Sequence, residues 1–339
     1  MPSLWSTTAR LRGGVGVKDN PQLSTLNAQS SGFASLAAEV SSLRIPLDGP
    51  EVALFATVEH TEYYQDELEP ETVGLADARW EGSIAEDWSL TAQGGYVFLR
   101  QVFDASEIEG VPFVVRAEGH AGSLKPGVKW KWAEGWRAEV EVEGTRQWLA
   151  EPLDGFVDLS PRLTLVRSWD RDHQVSASYR QRDRRFDTRT AVDLEGDPIV
   201  GRLRVAQHEV ELNWRRTWGA TRAWRATLRA GWVQSADNGV GYLDYERFTG
   251  ASTLRWAKGR WEWRGEFRSR WYRYAVQESD SLAGGPRRRW EAGYSLRGEW
   301  KMRDSLTWFG QYEGELTDEN VSAGDYRVNA LSGGLEWEW

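Results

Sequence analysis

The sequence predicts an all-β fold: a closed antiparallel up-and-down transmembrane β-barrel of about 16 strands with short turns on one side. Three observations predict it: apolar residues alternate with polar ones, short connections alternate with long ones, and an alternating last segment ends on an aromatic residue. Because these features recur along the whole chain, we expect residues 1–339 to form a single barrel domain.

Alternation with a period of two is clearest from Arg289 to Met302. One face carries Trp290, Ala292, Tyr294, Leu296, Gly298, Trp300 and Met302, whereas the other carries Glu291, Gly293, Ser295, Arg297, Glu299 and Lys301. Segments 224–232 and 261–268 repeat the pattern, and a tilted bilayer crossing needs only about 9 to 11 residues. A soluble β-propeller is the rival fold, but its blades would recur every ~40 to 45 residues, and the Trp-flanked turns keep no fixed spacing.

The connections fall into two alternating classes. Seven are tight turns, at 47–50, 85–87, 133–135, 170–172, 219–221, 257–259 and 303–305. Eight are longer polar loops, at 18–31, 65–72, 104–111, 151–155, 193–200, 235–241, 278–286 and 317–325. This arrangement predicts sixteen strands with both termini on the short-turn, periplasmic side, and the even number agrees with closure of an antiparallel barrel.

Aromatic residues bracket the predicted strands, as in the interfacial girdles of membrane barrels. The girdle candidates near turns are Trp88, Trp136, Trp224, Trp261 and Trp308. The last strand places Leu331, Gly333, Leu335, Trp337 and Trp339 on one face and ends on the aromatic itself. It resembles the C-terminal targeting signal of outer-membrane barrels, which implies the barrel assembly machinery, outer-membrane lipid and lipopolysaccharide as partners, and the bacterial outer membrane as location.

Composition excludes several classes of protein. With 27% charged residues and a mean hydropathy of −0.61, no apolar stretch approaches the ~18 residues of a spanning helix. The chain has no Cys and four scattered His, so we expect no metal site, no cofactor, no catalytic residue and no enzymatic activity. Glu59-His60 and His208-Glu209 could supply part of a catalytic set, but neighbours in a strand point to opposite faces.

Charge is distributed unevenly along the chain. Residues 1–150 carry 12 basic and 22 acidic side chains, residues 151–303 carry 29 and 21, and residues 304–339 carry 1 and 8. An Arg or Lys facing lipid at the membrane centre costs about 2 to 4 kcal/mol, so these charges should face the lumen. The predicted basic pore wall comprises Arg180, Arg182, Arg215, Arg225, Arg229, Arg255, Arg264, Arg268, Arg270 and Arg297. The predicted acidic wall includes Glu59, Glu81, Glu139, Glu141, Glu143 and Glu313.

Two interpretations of the basic wall stay open. It could set up a transverse field that orients polar or anionic solutes, or its arginines could pair with neighbouring glutamates and stiffen a wide barrel. A separate basic cluster, Arg287-Arg288-Arg289, is expected near the extracellular side. It could contact lipopolysaccharide, serve a partner or simply be solvated.

Three segments carry a family resemblance: Gly14-Val15-Gly16-Val17-Lys18-Asp19-Asn20, Tyr242-Leu243-Asp244-Tyr245 and Gly333-Gly334-Leu335-Glu336-Trp337. The chain is similar to little-characterised, porin-like outer-membrane barrels. It is more remotely similar to the sixteen-stranded export barrels at the C-terminus of tetratricopeptide-repeat polysaccharide secretion proteins. No basic and apolar leader precedes Leu4-Trp5. Because such a barrel must cross the inner membrane, we expect that a signal peptide, or a signal peptide with an upstream periplasmic domain, has been removed.

The resulting hypothesis is a channel or conduit for hydrophilic solutes or polymer, with selectivity from the basic wall facing the acidic wall. The alternative is a structural anchor whose barrel is occupied or capped by a periplasmic or surface protein. No nucleic-acid partner is expected. The third loop, 104–111, looks too short to constrict the lumen, so the pore should be wide unless a partner plugs it.

The targeting interpretation makes the first prediction. Deleting Trp339, or replacing Trp337 and Trp339 by Ala, should lower outer-membrane yield strongly while barrel refolded in detergent keeps its thermal stability, because recognition is lost rather than packing. Trp308→Ala, which changes the girdle but not the last strand, is the control. Normal membrane yield of the truncated chain would contradict the interpretation.

Overall fold

The computed structural model describes residues 5–24, 28–44, 49–109, 111–219, 221–279, 284–321 and 324–339. These residues form sixteen strands and one short helix, α1 (Ser106–Glu109). The strands are β1 (Trp5–Asp19), β2 (Ser30–Arg44), β3 (Glu51–Tyr63), β4 (Glu71–Ala85), β5 (Trp88–Asp104), β6 (Val114–Ala133), β7 (Trp136–Leu149), β8 (Phe156–Ser168), β9 (His173–Val192), β10 (Pro198–Trp218), β11 (Trp224–Asp237), β12 (Tyr245–Lys258), β13 (Trp261–Glu278), β14 (Pro286–Arg303), β15 (Leu306–Glu319) and β16 (Tyr326–Glu338).

Each strand pairs antiparallel with its neighbours in sequence, and β1 pairs with β16 to close the barrel. The closing register runs from Arg10 opposite Glu338 to Lys18 opposite Ala330. Ala9 and Trp339 exchange backbone hydrogen bonds of 3.0 Å at the same seam. The predicted fold class, a closed antiparallel barrel of sixteen strands, is confirmed.

The two rims of the barrel differ as the connections predicted. One rim, here the short-turn rim, carries the links that precede the odd-numbered strands; β4 ends at Ala85 and β5 begins at Trp88. The other, the long-loop rim, carries the links that follow them. Residues 25–27, 47, 48, 110, 220, 280–283, 322 and 323 of the predicted turns and loops lie outside the described residues. The start of β1 at Trp5 and the C-terminal residue Trp339 lie at the short-turn rim.

Alternation along each strand separates an apolar outer face from a polar inner face. Residues directly opposite each other in neighbouring strands share a face. One outward row follows the register around half of the barrel: Val140, Leu163, Tyr179, Val210, Trp232, Phe248, Trp271 and Trp290. No helix among the described residues is long and apolar enough to cross a membrane.

The outer face changes character between the two rims. Near the short-turn rim it carries a tryptophan belt with stacked pairs such as Trp88 and Trp130, whose ring centroids are 5.4 Å apart. The girdle and targeting candidates all lie here with 37 to 66% of their surface exposed: Trp88, Trp136, Trp224, Trp261, Trp308, Leu335, Trp337 and Trp339. Nearer the long-loop rim the outer face includes hydrogen-bonded pairs such as Tyr179 and His208.

The assignment of faces gives a second prediction. Leu212 lies outward in β10 between Ala177 and Ala230 and is 54% exposed in the isolated chain, whereas Arg215 has the opposite orientation. Leu212→Arg should destabilise the barrel by ~2 to 4 kcal/mol, because it places a charge in lipid, and Arg215→Leu should be tolerated by the fold. Reversible folding into bilayers measures both, and equal losses would mean that the two faces are exchanged.

Candidate functional site

The lumen wall contains every arginine and glutamate named above as pore-lining. The register places them on the inner face, together with Glu39 and Glu336. A continuous row of four directly opposed arginines crosses β11 to β14 near the short-turn rim: Arg225, Arg255, Arg264 and Arg297. Like charges directly opposite each other destabilise a sheet, so this row needs compensation.

Glutamates supply that compensation for three members of the row. Arg255 holds Glu262 through two hydrogen bonds of 2.5 and 2.6 Å. Arg264 lies 2.6 Å from Glu266, and Arg297 contacts Glu299 and Glu336. All of these bridges join a guanidinium to a carboxylate, and each is 2.5 to 2.6 Å long except that of Arg297 with Glu336, at 3.3 Å. The fourth member, Arg225, has no carboxylate within ion-pair distance in the described part of the chain.

The basic wall therefore divides into two groups. Arg180, Arg182, Arg255, Arg264, Arg268, Arg270 and Arg297 each lie within 4.0 Å of a carboxylate oxygen. Arg215, Arg225 and Arg229 form no ion pair among the described residues, although Arg215 donates to Gln174. The second group carries positive charge that the wall itself does not neutralise.

The acidic wall is largely neutralised by its own neighbours. Arg12 donates to Glu59 at 2.7 Å, Lys129 pairs with Glu81, and Glu139, Glu141 and Glu143 pair with Arg137, Lys125 and Arg180. Glu313 instead accepts from Gln311. The pairing interpretation thus describes the acidic side better than the basic side.

Loop 3 connects β5 to β6, and its described residues, 105–109 and 111–113, fold into the barrel and cross the lumen. It follows β5, which lies diametrically opposite β13 in a ring of sixteen strands. From α1, Glu107 accepts hydrogen bonds of 3.0 Å from Tyr245 and Tyr272, and one of 2.6 Å from Arg247. The expectation that the third loop is too short to constrict the lumen was wrong. The nine residues of the loop do not span the lumen by themselves. The long side chains of Arg247 and Tyr272 on the far wall reach Glu107 across the remaining distance.

Two further contacts fix the loop. At its start, Asp104 binds the Arg289 guanidinium and accepts from the Tyr326 hydroxyl at 2.9 Å. At the end of α1, Glu109 pairs with Arg189 of β9 at 3.0 Å. The loop is thereby bound to β9, β12, β13, β14 and β16. We call this set of contacts the loop 3 latch.

Packed apolar residues narrow the lumen further near the long-loop rim. One buried cluster joins Phe156, Phe186, Leu203 and Leu243, and another joins Val233, Tyr245, Tyr272 and Tyr274. A cavity of about 1090 Å³ remains beside loop 3. Its charged lining includes Lys18, Glu71, Asp104, Glu107, Arg184, Arg229, Arg264, Arg268, Arg270, Arg289, Glu291, Glu313 and Glu315.

The sequence analysis did not identify Asp104, the last residue of β5, or Glu107 of α1, which bind Arg289 and Arg247 of the far wall. Two signals were available. Ser106 and Glu109 have the spacing of a helix capping box, which predicts a helical turn in the loop. Acidic residues also cluster there, although the partners that they meet lie 80 to 222 positions later in the chain.

The histidines lie away from the lumen cavity. His208 faces outward and hydrogen bonds to Tyr179 at 2.7 Å, and His60 faces outward beside Thr72. Glu209 and Glu59 point inward, so neither adjacent pair acts together. Within the described residues no group of three His, Cys, Asp or Glu is placed to hold a metal ion. The absence of enzymatic activity stays a prediction.

The loop 3 latch gives a third prediction, which concerns how channel conductance depends on pH. Burial on its own would raise the pKa of Glu107, but Arg247 and Arg270, together with the two tyrosine hydroxyls, lower it to about 2. Because this pKa lies below the ordinary 4.5, the latch should hold fully above pH 4.5 and weaken only as the pH falls toward 2. Glu107→Gln should weaken it by about 1–3 kcal/mol and raise channel conductance at every pH.

Single-channel recording between pH 8 and pH 4 tests this, with Glu67→Gln in the exposed second loop as the control of equal charge. Wild-type conductance that rises sharply between pH 7 and pH 5 would contradict the assigned pKa. Identical conductance of wild type and Glu107→Gln would show that loop 3 does not limit flow.

Comparisons with known proteins support the architecture. No family model matches the chain, and no curated protein sequence matches it. Solved structures do: the outer membrane protein OpdK of Pseudomonas aeruginosa has a TM-score of 0.52 at 11% identity and covers 98% of this chain and 99% of its own. OccK9 (OpdG) of the same organism has 0.52 at 11%, covering 99% and 98%. OccAB3 of Acinetobacter baumannii has 0.51 at 8%, covering 98% and 99%. The chain thus has the sixteen-stranded fold of these barrels, and its outer face carries an apolar band.

Proposed function

We propose that this barrel is a channel for small hydrophilic solutes and that its uncompensated arginines favour anionic ones. The observation that carries the proposal is the group Arg215, Arg225 and Arg229, which faces the lumen without an ion-pair partner among the described residues. A charged wall in a narrow channel concentrates ions of opposite sign and orients dipoles along the pore.

The charges follow a path through the lumen. The cavity beside loop 3 is lined by Arg184, Arg270 and Arg289. Nearer the short-turn rim it is lined by Arg229, Arg264 and Arg268. The arginine row that contains Arg225 follows near the short-turn rim. An anion that leaves one guanidinium therefore meets another on the same wall, so binding at each step can stay weak enough for release.

Loop 3 favours small solutes over polymer. The latch runs from β5 to β12 and β13 and divides the lumen instead of lining it. A polymer needs one wide continuous passage, whereas a small solute can use the space that remains beside the loop.

The anchor hypothesis predicts a lumen available to a partner protein. The inward loop and the buried clusters around Phe156 and Tyr272 already fill much of the region near the long-loop rim. Because this region is already filled, the packing favours a channel over an anchor whose lumen holds a segment of a partner protein. The bilayer experiment below separates the two.

Ion selectivity tests the proposal. Neutralising Arg225, Arg229, Arg264 and Arg268 together should shift the ion preference towards cations, measured as reversal potential across a planar bilayer with a salt gradient. The shift should shrink at high salt, because the Debye length falls from ~10 Å at 0.1 M to ~3 Å at 1 M. Arg225→Gln with Arg229→Gln should give much of the effect, because these two side chains are uncompensated.

The control for the double variant is Arg171→Gln with Arg216→Gln, which removes the same two charges outside the lumen. Arg171 lies in a turn, and Arg216 faces outward beside the tryptophan belt. No steady conductance from any folded form would favour the anchor. If the variant with all four arginines neutralised conducts with an unchanged ion preference, the arginines of the basic wall serve only to pair with neighbouring glutamates.

A further inference from the structure

The run Arg287-Arg288-Arg289 does not form one basic patch. Strand alternation sends Arg287 and Arg289 inward, where both are buried and meet Glu319 and Asp104 respectively. Arg288 alone points outward and is exposed. The expected extracellular cluster is therefore divided between two faces of the barrel, and Arg288 needs a separate explanation.

Arg288 has a basic neighbour on the outer face. It lies directly opposite Arg273 of β13, and one step closer to the membrane centre Trp271 lies opposite Trp290 in the same way. Opposed like charges are unfavourable without an anion between them. Among the described residues, neither guanidinium has a hydrogen-bond or ion-pair partner, although Glu246 lies opposite Arg273 on its other side.

The barrel contains a second outward arginine pair that shows what such a pair binds. Arg185 of β9 lies opposite Arg204 of β10 near the same rim. Asp183, two residues before Arg185 on the same face, accepts from Arg185 at 3.0 Å and from Arg204 at 2.6 and 2.9 Å. One carboxylate thus bridges and neutralises both guanidinium groups.

The corresponding position beneath Arg273 is Trp271. It is two residues before Arg273 in β13, as Asp183 is two before Arg185 in β9, and it is 56% exposed. An indole supplies apolar surface at a membrane interface but no negative charge. The Arg273–Arg288 pair consequently has the geometry of the bridged pair without the bridging anion.

We propose that Arg273 and Arg288 bind a phosphate group of a phosphorylated glycolipid of the outer leaflet, the lipid A part of lipopolysaccharide. Planar guanidinium groups match phosphate oxygens bidentately. The pair faces outward at the long-loop rim, where lipid headgroups lie, and Trp271 and Trp290 below it offer contact for the sugar and upper acyl chains. This site is independent of the proposed channel function, because neither arginine faces the lumen.

Native mass spectrometry of the refolded full chain in detergent, titrated with bisphosphorylated lipid A, tests the proposal. Wild type should form a 1:1 complex, and Arg273→Gln with Arg288→Gln should weaken it at least about tenfold, the loss expected for one charge-assisted hydrogen bond. The control variant, Arg185→Gln with Arg204→Gln, should bind as wild type does. Heat-modifiable migration on gels confirms that each variant is folded.

A second variant keeps both arginines. Trp271→Asp copies the arrangement around Asp183 and should also weaken binding, because an internal carboxylate then occupies the pair. Equal binding of dephosphorylated lipid A, equal binding of phosphatidylglycerol vesicles, or displacement by millimolar inorganic phosphate would each overturn the assignment to lipid A. Equal losses in the two double variants would do the same.

Discussion

The structure depends on one constraint: in hydrocarbon, each backbone N–H and C=O group must find a partner within the protein. The pairing of β1 with β16 meets this constraint by leaving no open edge. Once the ring is closed, the period of a strand determines which side chains meet lipid and which meet the lumen. The arginines of the basic wall, on β9 to β14, face inward for this reason, and Leu212, Leu228 and Trp263 face outward.

Inward charges must then be compensated within the wall, and the two sides of the lumen differ in how this is done. On the acidic side nearly every glutamate considered has a basic partner in the wall. On the basic side the glutamates suffice for Arg255, Arg264 and Arg297 but not for Arg215, Arg225 and Arg229. The surplus positive charge is thus a local property of a few side chains, in a chain whose net charge is −9.

The two arginine pairs on the outer face near the long-loop rim need compensation in the same way. Asp183 neutralises one arginine pair from within the sheet, whereas Trp271 leaves the other to an external anion. Two pairs with the same backbone geometry therefore differ in what they need from their surroundings. The difference lies in one side chain, which makes the two pairs natural controls for each other.

The sequence predicted those features that depend on neighbours along the chain. Strand number, the two classes of connection and the inner or outer face of Arg229 or Leu212 follow from period-two alternation and turn residues. It did not predict the loop 3 latch, because Glu107 meets Arg247 and Tyr272 across 140 and 165 positions and loop length alone underestimates reach. Nor did charge alone indicate which arginines are compensated, since that depends on register between strands.

The proposed channel function requires Arg229 to face a water-filled path that solutes use. Because the chain has no Cys, Arg229→Cys and its neighbour Leu228→Cys each introduce a unique thiol. A negatively charged, water-soluble methanethiosulfonate reagent added during single-channel recording should change the current of the Arg229→Cys channel in one step and leave that of Leu228→Cys unchanged. Modification of both positions at equal rates, or modification at position 229 without any change in current, would contradict the account.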